Sequence, residues 1–219
     1  MPKLVSIAFF QYITERVNGR SHSEMAELAC EGGVRWVQLR MKGMDHPAML
    51  KEARRTRAIC HKHRARLIIN DHTDIAVLAG ADGVHLGKLD MAPAEARRLL
   101  GPDKIIGGTA NNWDELSKMA EAGVDYIGIG PWRFTPTKEN LSEALGPEGL
   151  TAMVRRSREA GIELPLIAIG GIRMEDVPEL AALNVDGIAV ASAVNQDPAP
   201  SESAFRFIAS MRALWHVVI

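Results

Sequence analysis

One short pattern occurs four times in the chain, and it limits the possible folds more than any other feature. Gly33-Val34-Arg35-Trp36-Val37-Gln38-Leu39 recurs as Gly80-Ala81-Asp82-Gly83-Val84-His85-Leu86, as Gly123-Val124-Asp125-Tyr126-Ile127-Gly128-Ile129 and as Asn184-Val185-Asp186-Gly187-Ile188-Ala189-Val190. Each copy puts Gly or Asn, which tolerate the left-handed conformation at a helix C-terminus, just ahead of a short apolar run. Strands are expected over 9–14, 35–40, 66–70, 83–86, 104–109, 125–129, 164–169 and 186–190. Amphipathic helices are expected over 21–31, 46–64, 71–79, 92–100, 113–122, 146–160, 174–182 and 202–214, with Ser21 capping the first and Pro93 in the first turn of the fourth. The four copies fall on the second, fourth, sixth and eighth strands, as duplication of a pair of βα units would give.

Continuous apolar strands are buried on both faces, which implies a parallel sheet. Eight βα units in 219 residues predict an α/β chain closed into a single (β/α)8 TIM barrel, one catalytic domain over 1–219. A doubly wound open sheet is the alternative. It is the weaker one, because no GxGxxG follows the first strand and no edge strand is evident.

Composition narrows the function. A formal net charge of -1 gives no support for non-specific nucleic-acid binding. No apolar run approaches a membrane span, and the N-terminus lacks a signal-peptide pattern. Cys30 and Cys60 have neither a CxxC nor a metal spacing, so buried free thiols in a reducing compartment are expected. These features describe a cytoplasmic protein with small-molecule partners, without nucleic acid or membrane. The apolar C-terminal Leu214-Trp215-His216-Val217-Val218-Ile219 is expected to pack on the core or on a neighbouring subunit, which leaves a homo-oligomer open.

Barrels of this kind build their active sites from the loops at the C-terminal ends of the strands. Gln38, Arg40 and Lys42 follow the second strand, Asn70 and Asp71 the third, and Lys88 and Asp90 the fourth. Thr109, Asn111 and Asn112 follow the fifth. Thr135, Thr137 and Lys138 follow the sixth, on a sharp turn opened by Gly130-Pro131. Two hydroxyls and an ammonium there suit a phosphate, although a lone TxTK more often marks an ordinary surface loop. Asp71 and Asp90 could each simply cap the next helix. As a pair on adjacent strands, they could hold Mg2+, which takes one or two carboxylates and fills its octahedron with water and phosphate oxygens. Arg40, Lys42 and Lys138 would then form the cationic side of a diphosphate site. Gly170-Gly171 after the seventh strand and Ala191-Ser192 after the eighth stand where this fold cradles phosphate. His85 and His72 read as packed or capping residues rather than metal ligands. No GxSxG, HExxH or Cys–His pairing with a mechanism attached is present, so electrostatic rather than covalent catalysis is expected.

At these strand ends the chain resembles the thiamin phosphate synthase family. The matching residues are Gln38-Leu-Arg-Met-Lys42, Asn70-Asp71, Ala81-Asp-Gly-Val-His-Leu-Gly-Lys-Leu-Asp90, Ile105-Ile-Gly-Gly-Thr109, Asp125 through Lys138, Ala168-Ile-Gly-Gly-Ile172 and Asp186-Gly-Ile-Ala-Val-Ala-Ser192. They occur in family order over most of the chain. The resemblance implies a transferase forming a C–N bond. It would join 4-amino-2-methyl-5-hydroxymethylpyrimidine diphosphate to 4-methyl-5-(2-phosphoethyl)thiazole, or its carboxylate form, giving thiamin phosphate and diphosphate. It also implies residue roles. Gln38, Arg40, Lys42 and Asn70 would bind the pyrimidine diphosphate, and Asp71 and Asp90 would bind Mg2+. Thr109 and Lys138 would contact the diphosphate, and Thr135 and Thr137 the thiazole. Gly170, Gly171, Ala191 and Ser192 would cradle its phosphate. The family's dissociative reaction releases diphosphate before the thiazole nitrogen attacks, so it needs no general base. Trp132 and Phe134 are candidates to shield the cation, or simply to pack.

The chain departs from the family pattern at Met41, in place of an acidic residue, at Lys88, in place of glutamine, and at Thr109, in place of serine. Arg133-Phe134 replaces the common Phe-Pro. The thiazole tautomerase branch is the nearest alternative, but its proton shuttle is typically a histidine after the fifth strand. Gly107-Gly108-Thr109-Ala110-Asn111 has none. A sugar-phosphate isomerase would leave the carboxylate pair unexplained. A non-catalytic phosphate-ligand-binding barrel is distinguished by whether Mg2+-dependent diphosphate release occurs.

Overall fold

The computed structural model describes residues 9–134 and 144–215. In chain order the elements are β1 (Phe10–Ile13), α1 (His22–Glu31), β2 (Trp36–Leu39), α2 (His46–Lys62), β3 (Arg66–Asn70), α3 (Thr73–Ala79), β4 (Gly83–Leu86) and α4 (Pro93–Leu100). They continue with β5 (Ile105–Ala110), α5 (Trp113–Glu121), β6 (Tyr126–Ile129), α6 (Gly146–Glu159), β7 (Leu166–Ile169), a 3-10 turn (Met174–Asp176), α7 (Val177–Ala182), β8 (Gly187–Val190), α8 (Ser192–Asn195) and α9 (Pro200–Leu214). The strands form a closed parallel barrel in sequence order, and β8 returns to β1 through Phe10↔Ile188, Gln11↔Ala189 and Tyr12↔Val190. The expected (β/α)8 barrel is therefore the observed fold. Among the described residues no helix is long and apolar enough to cross a membrane.

The repeat has a structural basis. Gly33, Gly80, Gly123 and Asn184 all carry positive φ, at 98°, 65°, 76° and 57°, which reverses the chain from helix into strand. In three copies the aspartate then locks the preceding strand. The Oδ2 atoms of Asp82, Asp125 and Asp186 accept from the backbone N–H of Leu67, Ile106 and Leu166 at 2.8, 2.7 and 2.7 Å. A helix arginine pairs with each carboxylate: Arg57 with Asp82 at 3.8 Å, Arg97 with Asp125 at 2.6 Å, and Arg158 with Asp186 at 2.5 Å. In the fourth copy Arg35 takes the aspartate's place and bonds the carbonyls of Cys30 and Val34. This ring sits at the N-terminal ends of the strands, the face of the barrel concerned with stability.

The barrel interior is filled by Ile13, Trp36, Ile68, Ile105, Tyr126, Ile167 and Ala189. Trp36 and Tyr126 meet edge to face at 4.8 Å, an arrangement worth about 0.5–1.5 kcal/mol beyond the area it buries. Gly107 makes room for this pair, since a Cβ there would stand 2.2 Å from the Tyr126 ring. Cys30 and Cys60 are buried free thiols in the layer between barrel and helices, as expected. Trp215 donates its indole N–H to the Val185 carbonyl at 2.8 Å and packs on the same layer.

Local differences from the sequence reading have simple causes. Helix α1 starts at the capping box of Ser21 and Glu24, as the Ser cap predicts. Neither Asp71 nor Asp90 is a helix cap. Asp71 is in the left-handed region at φ 66° and α3 starts only at Thr73, while Ala92 precedes α4. Helix α8 spans only four residues, too few for a periodic pattern to show. Helix α9 begins at Pro200, whose ring suits a first helical turn, rather than at Glu202.

Candidate active site

The C-terminal strand ends enclose a cavity of about 590 Å³. Gln38, Arg40, Lys42, Asn70, Asp71, Asp90, Thr109, Gly170, Gly171, Ala191 and Ser192 all line it. Thr135, Thr137 and Lys138 lie outside the described residues.

The carboxylates stand at the turns after β3 and β4. The backbone N–H of Asp71 donates to the His85 carbonyl at 2.8 Å, tying the two turns together. Asp90 folds back so that its Oδ2 accepts from the Gly87 N–H at 2.6 Å. Burial, a hydrogen bond to the Asp90 carboxyl and the charge of Asp90 push the Asp71 carboxyl up to about 6, against the pull of Arg40 and a hydrogen bond from Asn70. Two carboxyl groups on adjacent strand ends offer oxygen ligands of the kind a hard divalent cation takes. Among the described residues no three or more His, Cys, Asp or Glu side chains cluster as metal ligands. An oxygen pair fits Mg2+ completed by water and phosphate oxygens, and does not fit structural zinc, which takes four protein ligands.

Arg40 is held from behind. Its backbone N–H donates to Thr14 Oγ1 at 3.3 Å, and Thr14 Oγ1 in turn lies 2.9 Å from His22 Nδ1. Lys42 is exposed at the rim. Opposite, Gly170 and Gly171 carry φ of 103° and 68°. A Cβ at Gly170 would meet Pro131 at 2.5 Å, and one at Gly171 would meet the Arg133 side chain at 2.5 Å. Both positions therefore require glycine on conformation and on space. Ala191 and Ser192 are fixed by buried Asn195, whose amide donates to the Ala191 and Ile13 carbonyls at 2.8 and 2.9 Å and whose oxygen accepts from the Tyr12 hydroxyl.

The departures from the family pattern fall into three kinds. Met41 is buried in the layer between barrel and helices, away from the cavity. Lys88 lines the cavity and pairs with Glu115 at 3.4 Å, so part of its charge is met locally. Arg133 grips Asp176, and Trp132 packs in the core while Phe134 is 64% exposed. Trp132 is thus a packing residue.

Sequence reasoning missed Glu15, His85 and Glu115 on the cavity wall. Glu15 follows the first strand, whose end carries the same positional signal as the others. Burial raises its carboxyl, with Arg40 opposing. His85 faces inward from β4, between the Tyr126 and Thr109 hydroxyls at 2.9 and 2.8 Å. Asn111 lines the cavity, whereas Asn112 caps α5 through the Glu115 N–H.

Comparison with known proteins follows the same lines. Residues 10–194 match the family described as thiamine monophosphate synthase. The thiamine-phosphate synthase of Bacteroides fragilis is 45% identical over 198 residues, covering 90% of this chain and 97% of its own. That of Clostridium novyi is 41% identical over 184 residues, covering 83% and 88%. A solved thiamine phosphate pyrophosphorylase from Pyrococcus furiosus superposes with a TM-score of 0.83 at 28% identity, covering 94% of this chain and 96% of that one.

Proposed function

The chain belongs to the thiamine monophosphate synthase family, and we propose that its cavity joins an aminopyrimidine diphosphate to a thiazole phosphate, giving thiamin phosphate and diphosphate. It is a transferase of thiamine biosynthesis. The observation that carries the detailed reading is the Asp71–Asp90 pair, set beside Arg40 and Lys42 at one side of a cavity whose other side is the Gly170-Gly171 and Ala191-Ser192 cradle.

In this reading Gln38 and Asn70 hold the pyrimidine, and Arg40, Lys42, Thr109 and Lys138 hold its diphosphate. Thr135 and Thr137 would contact the thiazole, and its phosphate rests on Gly170, Gly171, Ala191 and Ser192. Asp71 and Asp90 would hold Mg2+, which when bound neutralises charge on the diphosphate. The C–O bond to the pyrimidine methylene breaks and its electron pair leaves with the diphosphate. The 4-amino group stabilises the resulting cation, and the thiazole nitrogen supplies the pair for the new C–N bond. Arg40 and Lys42 favour the first step by meeting charge that grows on the leaving oxygen. Cavity walls such as Ile13, Ile169 and Ile172 limit water at the cation.

The tautomerase alternative needs a free proton carrier after the fifth strand. Asn111 and Asn112 follow it, Thr109 lies within it, and the nearby His85 has both ring nitrogens engaged by hydroxyls. Free buried Cys30 and Cys60 support a reducing, cytoplasmic setting for the enzyme. Incubation with both substrates and Mg2+ tests the reading. Thiamin phosphate should form with stoichiometric diphosphate, and an isomerised thiazole with no diphosphate would favour the tautomerase instead.

A further inference from the structure

A chain of hydrogen bonds crosses the barrel interior beneath the cavity. Gln38 Nε2 on β2 donates to Gln11 Oε1 on β1 at 3.0 Å, and Gln11 Nε2 donates to the Tyr126 hydroxyl on β6 at 3.1 Å. The Tyr126 oxygen lies 2.9 Å from His85 Nδ1 on β4, and His85 Nε2 lies 2.8 Å from Thr109 Oγ1 on β5. Gln11, Gln38, Tyr126 and His85 are 1%, 2%, 0% and 5% exposed, so water does not scramble the order. Gly107 leaves the space for it: a Cβ there would stand 2.2 Å from the Tyr126 ring.

Donor counting gives this chain a direction. The Tyr126 hydroxyl has one proton and accepts from Gln11 and from Gln38, so that proton goes to His85 Nδ1. An accepting Nδ1 makes His85 the neutral tautomer with its proton on Nε2, which then donates to Thr109. Thr109 in turn has its own hydroxyl proton to give. At the other end, Gln38 spends its amide N–H groups on Gln11 and Tyr126 and keeps its carbonyl oxygen. The reverse direction would turn a Thr109 lone pair toward the site read above as holding an anion, which is unfavourable.

We propose that Gln11, Tyr126 and His85 are positioning residues that turn the Gln38 carbonyl oxygen and the Thr109 hydroxyl proton toward the cavity. The first accepts from the exocyclic amine of the aminopyrimidine, and the second donates to its diphosphate. Both ends of one substrate are thereby set by a single buried chain. The proposal rests on the roles given to Gln38 and Thr109 above.

Two measurements test it. Nitrogen-15 NMR of the histidine-labelled protein, with the signal assigned through the contacts of the ring with Tyr126 and Thr109, should show the proton of His85 on Nε2. A proton on Nδ1 overturns the proposal. This readout uses the unsubstituted chain, so the proposal stays testable if a variant fails to fold. In kinetics, Tyr126→Phe should raise KM for the pyrimidine diphosphate ~10-fold, the worth of one well-placed hydrogen bond. KM for the thiazole phosphate, bound at the far cradle, should stay within ~2-fold. If Gln38→Ala and Thr109→Val raise the pyrimidine KM but Tyr126→Phe does not, the proposal alone falls. If those two variants also leave it unchanged, the proposal falls together with the binding roles it rests on.

Discussion

Arg133 binds Asp176 through both guanidinium Nη atoms, at 2.9 and 2.6 Å, and reaches the Gly171 carbonyl at 3.2 Å. Asp176 is 5% exposed, so this fork-to-fork pair joins the segment after β6 to the glycine turn after β7 at a partly dry site. The Arg-Phe pair that departs from the family pattern thus supplies a structural tie beside the proposed phosphate cradle.

Arg133→Ala should lower stability by about 2 kcal/mol, because it leaves the buried Asp176 carboxylate without its main partner. KM for the thiazole phosphate should rise while KM for the pyrimidine diphosphate holds. Denaturant unfolding and two-substrate kinetics check both parts.

Gly171→Ala places a methyl group at φ 68° and 2.5 Å from the Arg133 side chain. The turn must shift, so binding of the thiazole phosphate should weaken ~10-fold or more. Titration with the thiazole phosphate alone measures this without turnover.

Asp125→Ala removes a carboxylate that both accepts from the Ile106 N–H and pairs with Arg97. A loss of about 1–3 kcal/mol in stability is expected, from a buried backbone donor left unmet. Activity of the folded fraction should stay at the wild-type level, since the ring lies at the opposite end of the barrel. A fall in kcat without a fall in melting temperature would contradict this division of labour.

Asp71→Asn separates metal binding from folding. Unfolded, the Asp71 carboxyl ionises near its ordinary value of 3.8; folded, it holds its proton up to about 6. The native state binds more protons than the unfolded chain between those values, so stability falls as pH rises through that window. In chelator, Asp71→Asn should be more stable than the wild type at pH 7 by about 1–2 kcal/mol, discounted for partial exposure, with the gain shrinking toward pH 4. Added Mg2+ should raise the melting temperature of the wild type and not that of the variant.

The barrel was legible because its repeat carries local chemistry, Gly or Asn at the turn and an apolar strand after it. Asp71 and Asp90 were legible because a strand end fixes which face a residue serves, before any contact is known. The arginine partners of Asp82, Asp125 and Asp186 were hidden, since only packing of a helix one unit earlier brings them near. His85 was hidden for the same reason. Its neighbour Tyr126 is 41 residues away, and the gap that lets them meet is the missing side chain of Gly107. Glu15 carried the right positional signal just past the first strand, though its environment depends on Arg40 after the neighbouring β2. Lys88 brings a positive charge to the cavity wall, but Glu115, from the following unit, meets part of it.

Product formation by Asp71→Ala and Asp90→Ala, with both substrates and Mg2+ saturating, tests the carboxylate-pair reading most directly. Each variant should keep the circular dichroism spectrum of the wild type and lose thiamin phosphate formation by ~100-fold or more, the scale of removing a group that stabilises the leaving charge. Wild-type rates in either folded variant would contradict it.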